Sequence, residues 1–256
     1  DDYFDWVSFS KTVFDAPPNE WQTVKMSVSP PKSAAFGYYY AVVFSKADAQ
    51  KPTGKGNVLL GSTAVLVLVD VKSPNAKRSL KILDFSTDRK MYEFLPVTFS
   101  TRLRNDGNTH VLPHGNIFIK RGSKQVASLV LNAQQGNVLP GSNRVYTVQW
   151  KDGFPVYTAR EQGGRIVNDD KGKPVAELKW DFTKVPKLKF GRYTAHLVVV
   201  YDNGQQDVPL EANLSFWVIP WRILGVMLLI GLFVALGLLT SGKKIYLKIK
   251  GLKSAK

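Results

Sequence analysis

At 256 residues the chain can form one or two domains, and with 44% hydrophobic and 21% charged residues it is not a disordered polymer. It contains no cysteine, which excludes disulfide scaffolds, thiol chemistry and cysteine-ligated metal, and for an exported β-protein points towards a bacterial envelope. The formal net charge is +15; six lysines follow residue 240, leaving 29 basic against 20 acidic residues before it, an excess of about nine. Such an excess favours wall polymers, anionic lipid head groups or nucleic acid, although a merely soluble basic surface has the same balance.

The chain opens Asp1-Asp2-Tyr3, and for a protein exported amino terminus first we expect a leader that was removed or lies outside this sequence. Residues 1–71 offer strands around Trp6–Phe9, Trp21–Ser29, Gly37–Ser45 and Val58–Val71. These are too few for a closed sandwich, so the unit is read as a partial domain whose opening strands are missing from this chain. Leu59–Val71 is nearly continuous in β-formers, which predicts a strand covered on both faces. Residues 72–78, Lys72-Ser-Pro-Asn-Ala-Lys-Arg78, read as a linker.

Residues 79–218 supply a complete second domain. Val97, Phe99 and Leu103 alternate with polar neighbours, as do Leu210, Ala212, Leu214, Phe216 and Val218, and Tyr193–Tyr201 is a further strand. Turn signals separate the runs at Asn105–Asn108, Arg121–Ser123, Pro140–Ser142, Asp170–Gly172 and Asp202–Gly204. Short strands with such punctuation predict a sandwich, for which we favour the immunoglobulin-like form. Residues 157–180 read as an inserted hairpin in which Arg165–Val167 and Val175–Trp180 flank the turn at Asp170-Lys-Gly172.

Ile223–Thr240 is eighteen residues without a charge, about 27 Å of helix against a hydrocarbon core of about 30 Å. The segment 219–241 therefore predicts one transmembrane helix, with Trp217, Trp221, Tyr246, Lys243 and Lys244 as anchors at the membrane interfaces. Six lysines follow it, and only Arg222 lies in the twenty residues before it. The positive-inside rule puts residues 242–256 in the cytoplasm as a basic tail too short to fold, and the β-rich region outside the plasma membrane. Gly225, Gly231 and Gly237 recur every six residues, so the Gly-x-x-x-Gly packing motif is missing.

Candidates for chemistry are few. His110 and His114 are four apart near Asp106, but on a segment joining two strands that spacing does not gather metal ligands, and a polar loop explains them better. His196 sits within a strand and reads as half-buried. There is no Gly-x-Ser-x-Gly elbow and no phosphate loop, and Asp169-Asp170 lies in a turn. Asn213-Leu-Ser215 would accept a glycan only in a eukaryote. Binding features are more plentiful. Lys184, Lys187, Lys189 and Arg192, with Arg102, Arg104, Lys120, Arg121 and Lys124, are candidates for a polyanion-binding face. Tyr38, Tyr39 and Tyr40 are candidates for stacking on sugar rings, although strand alternation sends at least one of them into a core.

Two segments carry a resemblance. In Phe99–Ile119 a strand ends in Asn105-Asp-Gly-Asn108 and Pro113-His-Gly115 leads into the next, a pattern that resembles immunoglobulin-like domains of bacterial envelopes. Trp6–Phe44, with Pro30-Pro31 and Gly37-Tyr-Tyr-Tyr-Ala-Val-Val-Phe44, looks like the end of a preceding domain. With the helix and basic tail, residues 1–240 are similar in order to the WxL-interacting proteins of Gram-positive bacteria. That resemblance implies a peptidoglycan-binding first domain and a second domain for host or surface partners. The chain departs from it by lacking the first half of the first domain and by carrying the 157–180 hairpin. Phe216-Trp-Val-Ile-Pro-Trp221 also resembles envelope proteins of small-genome bacteria, and no activity comes with that likeness.

The expected protein is therefore all-β, with tandem immunoglobulin-like sandwiches and one carboxy-terminal transmembrane helix. It is expected to be a membrane-anchored envelope binding or adhesion protein contacting peptidoglycan, an anionic wall polymer or a surface protein. No catalytic or metal site, cofactor, nucleic acid or small-molecule substrate is expected, and the chain is read as not an enzyme. The alternative is a structural subunit of a secretion or pilus-type assembly, completed by a strand from a partner.

Overall fold

The computed structural model describes residues 2–46 and 62–253. In the amino-terminal part, β1 (Val7–Phe9) pairs with β2 (Met26–Val28), and β3 (Phe36–Phe44) pairs antiparallel with β4 (Thr63–Val71) along nine residues each. A 3₁₀ turn, Asp2–Trp6, lays aromatic rings over one face of β3. The start expected for the fourth strand, Val58 to Gly61, lies outside the described residues. The expectation that this strand is covered on both faces is corrected: Leu66 is 74% exposed and Val65 49%. Among the described residues β4 pairs with β3 alone, so no second layer shields its outer side chains.

The next strands are β5 (Leu80–Thr87), β6 (Met91–Tyr92), β7 (Val97–Asn105), β8 (His114–Arg121), β9 (Lys124–Leu131) and β10 (Asn143–Trp150). After an insertion come β15 (Gly191–Asp202) and β16 (Asp207–Val218). A three-stranded sheet, β10-β7-β5, faces a five-stranded one, β6-β16-β15-β8-β9. The alternation read from sequence is what closes them. Val97, Phe99 and Leu103 of β7 are fully buried, as are Ala195, Leu197 and Val199 of β15. Between the sheets Phe216 meets Phe99, Tyr193 and Trp150 at ring-centroid distances of 5.7, 5.8 and 6.2 Å. Each such buried side chain contributes about 1.5–3 kcal/mol relative to exposure.

The end of β7 is tied by one side chain. Asn105 is fully buried. Its Nδ2 donates to the carbonyls of Thr109 (2.7 Å) and Val138 (2.9 Å), and its Oδ1 accepts from the Gly107 amide at 2.8 Å. Its backbone amide donates to Ser142, and its carbonyl accepts from Gly141. The following Asn108 fastens the linker 72–78: its Oδ1 accepts from Lys77 N, its Nδ2 donates to Asn75 O, and its own amide donates to Lys77 O. A Cβ on Gly107 would collide with the Lys77 carbonyl, so the linker can lie this close only over glycine.

The insertion contains β11 (Val156–Ala159), β12 (Glu161–Gln162), β13 (Arg165–Ile166) and β14 (Ala176–Lys179). Its pairing adds a second turn inside the expected hairpin, whose outer strands are β11 and β14. Ala176–Lys179 pairs with β11 and Arg165–Ile166 pairs with β12, while the segments expected to flank the Asp170 turn meet through the Val175 amide, which donates to Val167 O at 2.9 Å, and through the Asn168–Pro174 bridge. The reason is local: Gly163 and Gly164, at φ 59° and 75°, make a tight turn of their own ahead of Asp169.

β16 runs almost directly into α1 (Trp221–Lys253). Ile219 N donates to Tyr92 O at 2.8 Å, and Leu224 N donates to Pro220 O at 3.0 Å, so helical bonding starts from the proline. Residues 221–242 are long and apolar enough to cross a membrane, and none of that stretch is buried against the rest of the chain. The helix begins two residues later than the expected 219. It also continues to Lys253, which corrects the expectation of a structureless tail: an established helix propagates at little cost through residues lacking proline.

Two consequences can be measured. Replacing Asn105 with alanine takes the side-chain donor from the Thr109 carbonyl, one of two donors from the Val138 carbonyl (Val111 N remains) and the acceptor from the Gly107 amide. It should lower unfolding stability by about 3 kcal/mol in chemical denaturation followed by tryptophan fluorescence. Tyr146, whose hydroxyl donates to Gly136 O at 2.7 Å, is pushed by burial up to about 12. Between its ordinary pKa of 10.0 and about 12 the folded chain keeps a proton that the unfolded chain releases. The stabilisation this provides is complete below pH 10 and is lost as pH rises through 12, amounting to about 2–3 kcal/mol. Tyr146→Phe should remove that part of the alkaline loss, read as a shallower fall of the denaturation midpoint over the same pH range.

Candidate functional site

The nine basic candidates divide into groups. Arg102 and Arg104 point outward from the central strand of the three-stranded sheet. Arg104 Nε lies 2.6 Å from Asp106 Oδ1, and Lys81 Nζ lies 2.6 Å from the other oxygen, so Arg104 is already answered, whereas Arg102 has no carboxylate partner among the described residues. Hydrogen bonds from Lys81 and then Arg104 hold the Asp106 carboxyl below its ordinary range. Lys184 and Lys187 sit on the 3₁₀ turn Phe182–Lys187 and bind Asp181 (3.0 Å) and Asp152 (2.5 Å). Lys189 lies 5.5 Å from the Trp150 ring centroid, and burial lowers its pKa.

The other four converge. Lys120 and Arg121 end β8, and Lys124 begins β9 directly opposite Arg121. Lys120 is the cross-strand partner of Thr194, two residues from Arg192. A Cβ placed on Gly191 would sit 3.5 Å from Arg121 Nε. Arg192 pairs across to Trp217 and donates to Ser215 Oγ at 3.1 Å. Lys120, Arg121, Lys124 and Arg192 thus occupy the end of the five-stranded sheet from which α1 leaves, and among the described residues none has a carboxylate partner. Trp217, 45% exposed on the outer face of β16, and Trp221, 50% exposed at the start of α1, lie at this same end. Lys243, Lys244 and Tyr246 fall within the later turns of α1.

The three tyrosines are engaged by the chain itself. Tyr40 is buried, and its hydroxyl donates to Tyr3 O at 3.0 Å. Tyr38 is half-buried and meets Trp6 edge-on at 4.6 Å. Tyr39 faces the other way, 6.1 Å from the His110 ring. Burial raises the pKa of both Tyr39 and Tyr40. His114 is exposed at the start of β8. His196 is half-buried, with Nδ1 2.7 Å from Asn213 Oδ1 and Nε2 3.6 Å from Glu211.

Two concave features escape a reading of the sequence. One is an open groove of about 470 Å³ on the outer face of the five-stranded sheet, lined by Phe118, Val130 and Val198 with His114. The other, about 430 Å³, lies where Glu93, Phe94 and Tyr157 meet Trp221 and Arg222. Glu93 carried one signal, a lone carboxylate inside the run Met91-Tyr-Glu-Phe-Leu95. Its partner, 129 positions later, carried none.

No protein-family model matches this chain, and no curated protein matches it. Among solved structures it is similar to a β-glucosidase from Erythrobacter marinus, with 13% identity over 54% of this chain and a TM-score of 0.26. The chain spans only 15% of the length of that enzyme. The expectation that the chain is not an enzyme is corrected on this finding, and the exclusion is withdrawn because a glycosidase stands among its structural neighbours. At that TM-score the likeness carries no argument for an activity.

Proposed function

We propose that the chain is a membrane-anchored envelope protein whose β-region, outside the plasma membrane, binds anionic wall polymer close to the bilayer. In this reading α1 crosses the membrane with its lysine-rich end in the cytoplasm. The two facing sheets form an immunoglobulin-like sandwich, as the resemblance to WxL-interacting proteins implies. The observation that carries the reading is the convergence of Lys120, Arg121, Lys124 and Arg192 at the helix-proximal end of the five-stranded sheet, without carboxylate partners among the described residues. Arg104, Lys184 and Lys187 have acidic partners and are spent on the fold. Unanswered cations gathered on one edge concentrate a polyanion, whereas paired ones do little.

A second reading, a subunit completed by a partner strand, draws on the β3–β4 ribbon, where Leu66 is 74% exposed. The two separate in one experiment, co-sedimentation of the detergent-solubilised chain with cell-wall sacculi that retain or lack anionic polymer. The polymer reading expects binding that disappears on stripping and weakens as salt rises from about 0.05 to 0.5 M. Replacing Lys120, Arg121, Lys124 and Arg192 together with glutamine should lower binding at least about tenfold, and Arg102→Gln with Arg104→Gln should leave it unchanged. Salt-resistant binding to bare peptidoglycan would move the reading to sugar recognition. No binding by folded protein would leave the partner-strand reading in its place.

A further inference from the structure

The cleft at the junction of the β-region and α1 contains a buried carboxylate with an oxygen that receives no hydrogen bond among the described residues. Glu93 is 6% exposed, and its Oε1 has no hydrogen-bond partner among the described residues. The nearest cation is Arg222, whose Nε is 3.4 Å from Oε1, beyond a good hydrogen bond, with a side chain 65% exposed. Burying a carboxylate without donors costs several kcal/mol, so a site that keeps one calls for a donor from elsewhere. The other acid of the cleft is occupied: Asp88 Oδ1 accepts from the Tyr92 hydroxyl at 2.5 Å and from Thr98 N at 3.2 Å.

The remaining features narrow the ligand. Arg89 and Arg222 present exposed guanidinium groups beside the carboxylates of Asp88 and the buried Glu93, so the cleft is balanced in charge and suits a ligand carrying both signs. Phe94, Tyr157 and Trp221 supply aromatic walls, which favour a cation placed against them. Tyr157 is fixed there by its backbone amide, which donates to Leu95 O at 2.7 Å. At about 430 Å³ the cleft falls within the range of about 300–1,000 Å³ usual for small ligands. Trp221 and Arg222 are the first two residues of α1, the level at which head groups lie if that helix spans a bilayer.

We propose that this cleft is a head-group site for a zwitterionic phospholipid with a primary ammonium, an ethanolamine phospholipid of the surrounding bilayer. The ammonium donates to the Glu93 carboxylate against the Tyr157 and Trp221 rings, and the phosphate lies between the Arg89 and Arg222 guanidinium groups. A quaternary ammonium has no N–H for Glu93, and an anionic head group without an amine leaves that carboxylate unanswered. The proposal rests on the reading of α1 as membrane-spanning.

The test uses the full chain reconstituted in bilayers with equal parts phosphatidylethanolamine, phosphatidylcholine and phosphatidylglycerol. Flotation after alkaline extraction reports integral insertion, and native mass spectrometry of the detergent-released protein counts retained lipids. Phosphatidylethanolamine should be retained about tenfold over phosphatidylcholine, the equivalent of one charge-assisted hydrogen bond. Glu93→Gln should abolish that preference, and Tyr157→Ala, which leaves the carboxylate in place, should reduce it even if the first variant misfolds. Equal retention of all three lipids by inserted protein overturns the site alone. So does a preference for phosphatidylglycerol that survives Glu93→Gln. Failure to float overturns the membrane-spanning reading and the site with it.

Discussion

The fully buried amide of Asn105 is the constraint on which the arrangement of the larger β-region depends. Every polar group of this residue is used: two donors and one acceptor on the side chain, and the backbone amide and carbonyl besides. Those bonds join the end of β7 to the turn at Thr109, to the loop at Val138 and to the Gly141-Ser142 entry into β10. A network satisfied at every member specifies one arrangement of these segments, because any alternative strands a buried donor or acceptor. The same turn reaches the linker through Asn108, and Arg78 at the end of that linker binds both Asp70 of β4 and Asp202 at the end of β15.

From this knot the strands run towards the opposite end of the sheets, where α1 begins. β16 buries Phe216 and Val218 and then passes through the buried Pro220 into helix without a flexible stalk. The Ile219 amide on Tyr92, and Arg222 beside Glu93, tie that junction to the segment between β6 and β7. What lies at this end of the β-region is therefore held at a set distance from the first turn of the helix. The exposed tryptophans and the junction cleft are placed by this connection, at the same end of the sheets that carries Lys120, Arg121, Lys124 and Arg192.

Charge on this protein is used in two ways, and pairing separates them. Asp106 and Asp152 each hold a nearby lysine or arginine and have depressed pKa values as a result, and that of Asp181 is lowered by the Thr183 hydroxyl first and by Lys184 second. Those contacts secure turns and the 3₁₀ segment. The cations at the β8–β9 turn and at the start of β15 lack such partners among the described residues, and their fields remain available to a ligand.

Much of the architecture is legible in the residues alone, because it depends on local periodicity. Alternation of apolar and polar positions marks β7 and β16, Asn-Asp-Gly-Asn marks the turn after β7, and an uncharged apolar run marks α1. Where two local signals compete the sequence is ambiguous. Gly163-Gly164 and Asp170-Lys-Gly172 both encode turns, and only the folded backbone shows that each takes its own strands. The covering expected of the strand ending at Val71 also fails, since a run of β-formers states what a strand can bury and not whether anything lies against it. The candidate sites were the least legible part. Strand order β6-β16-β15-β8-β9 brings Arg121 beside Gly191 and Met91 beside Trp217, and the β16–α1 junction brings Arg222 to Glu93. The sequence by itself determined which segments are strand, turn and apolar helix, because those follow from neighbours a few residues apart. Which charges are paired, free or buried was decided only by the tertiary structure, because electrostatic and hydrogen-bond partners are set by distance in space across a hundred residues of chain.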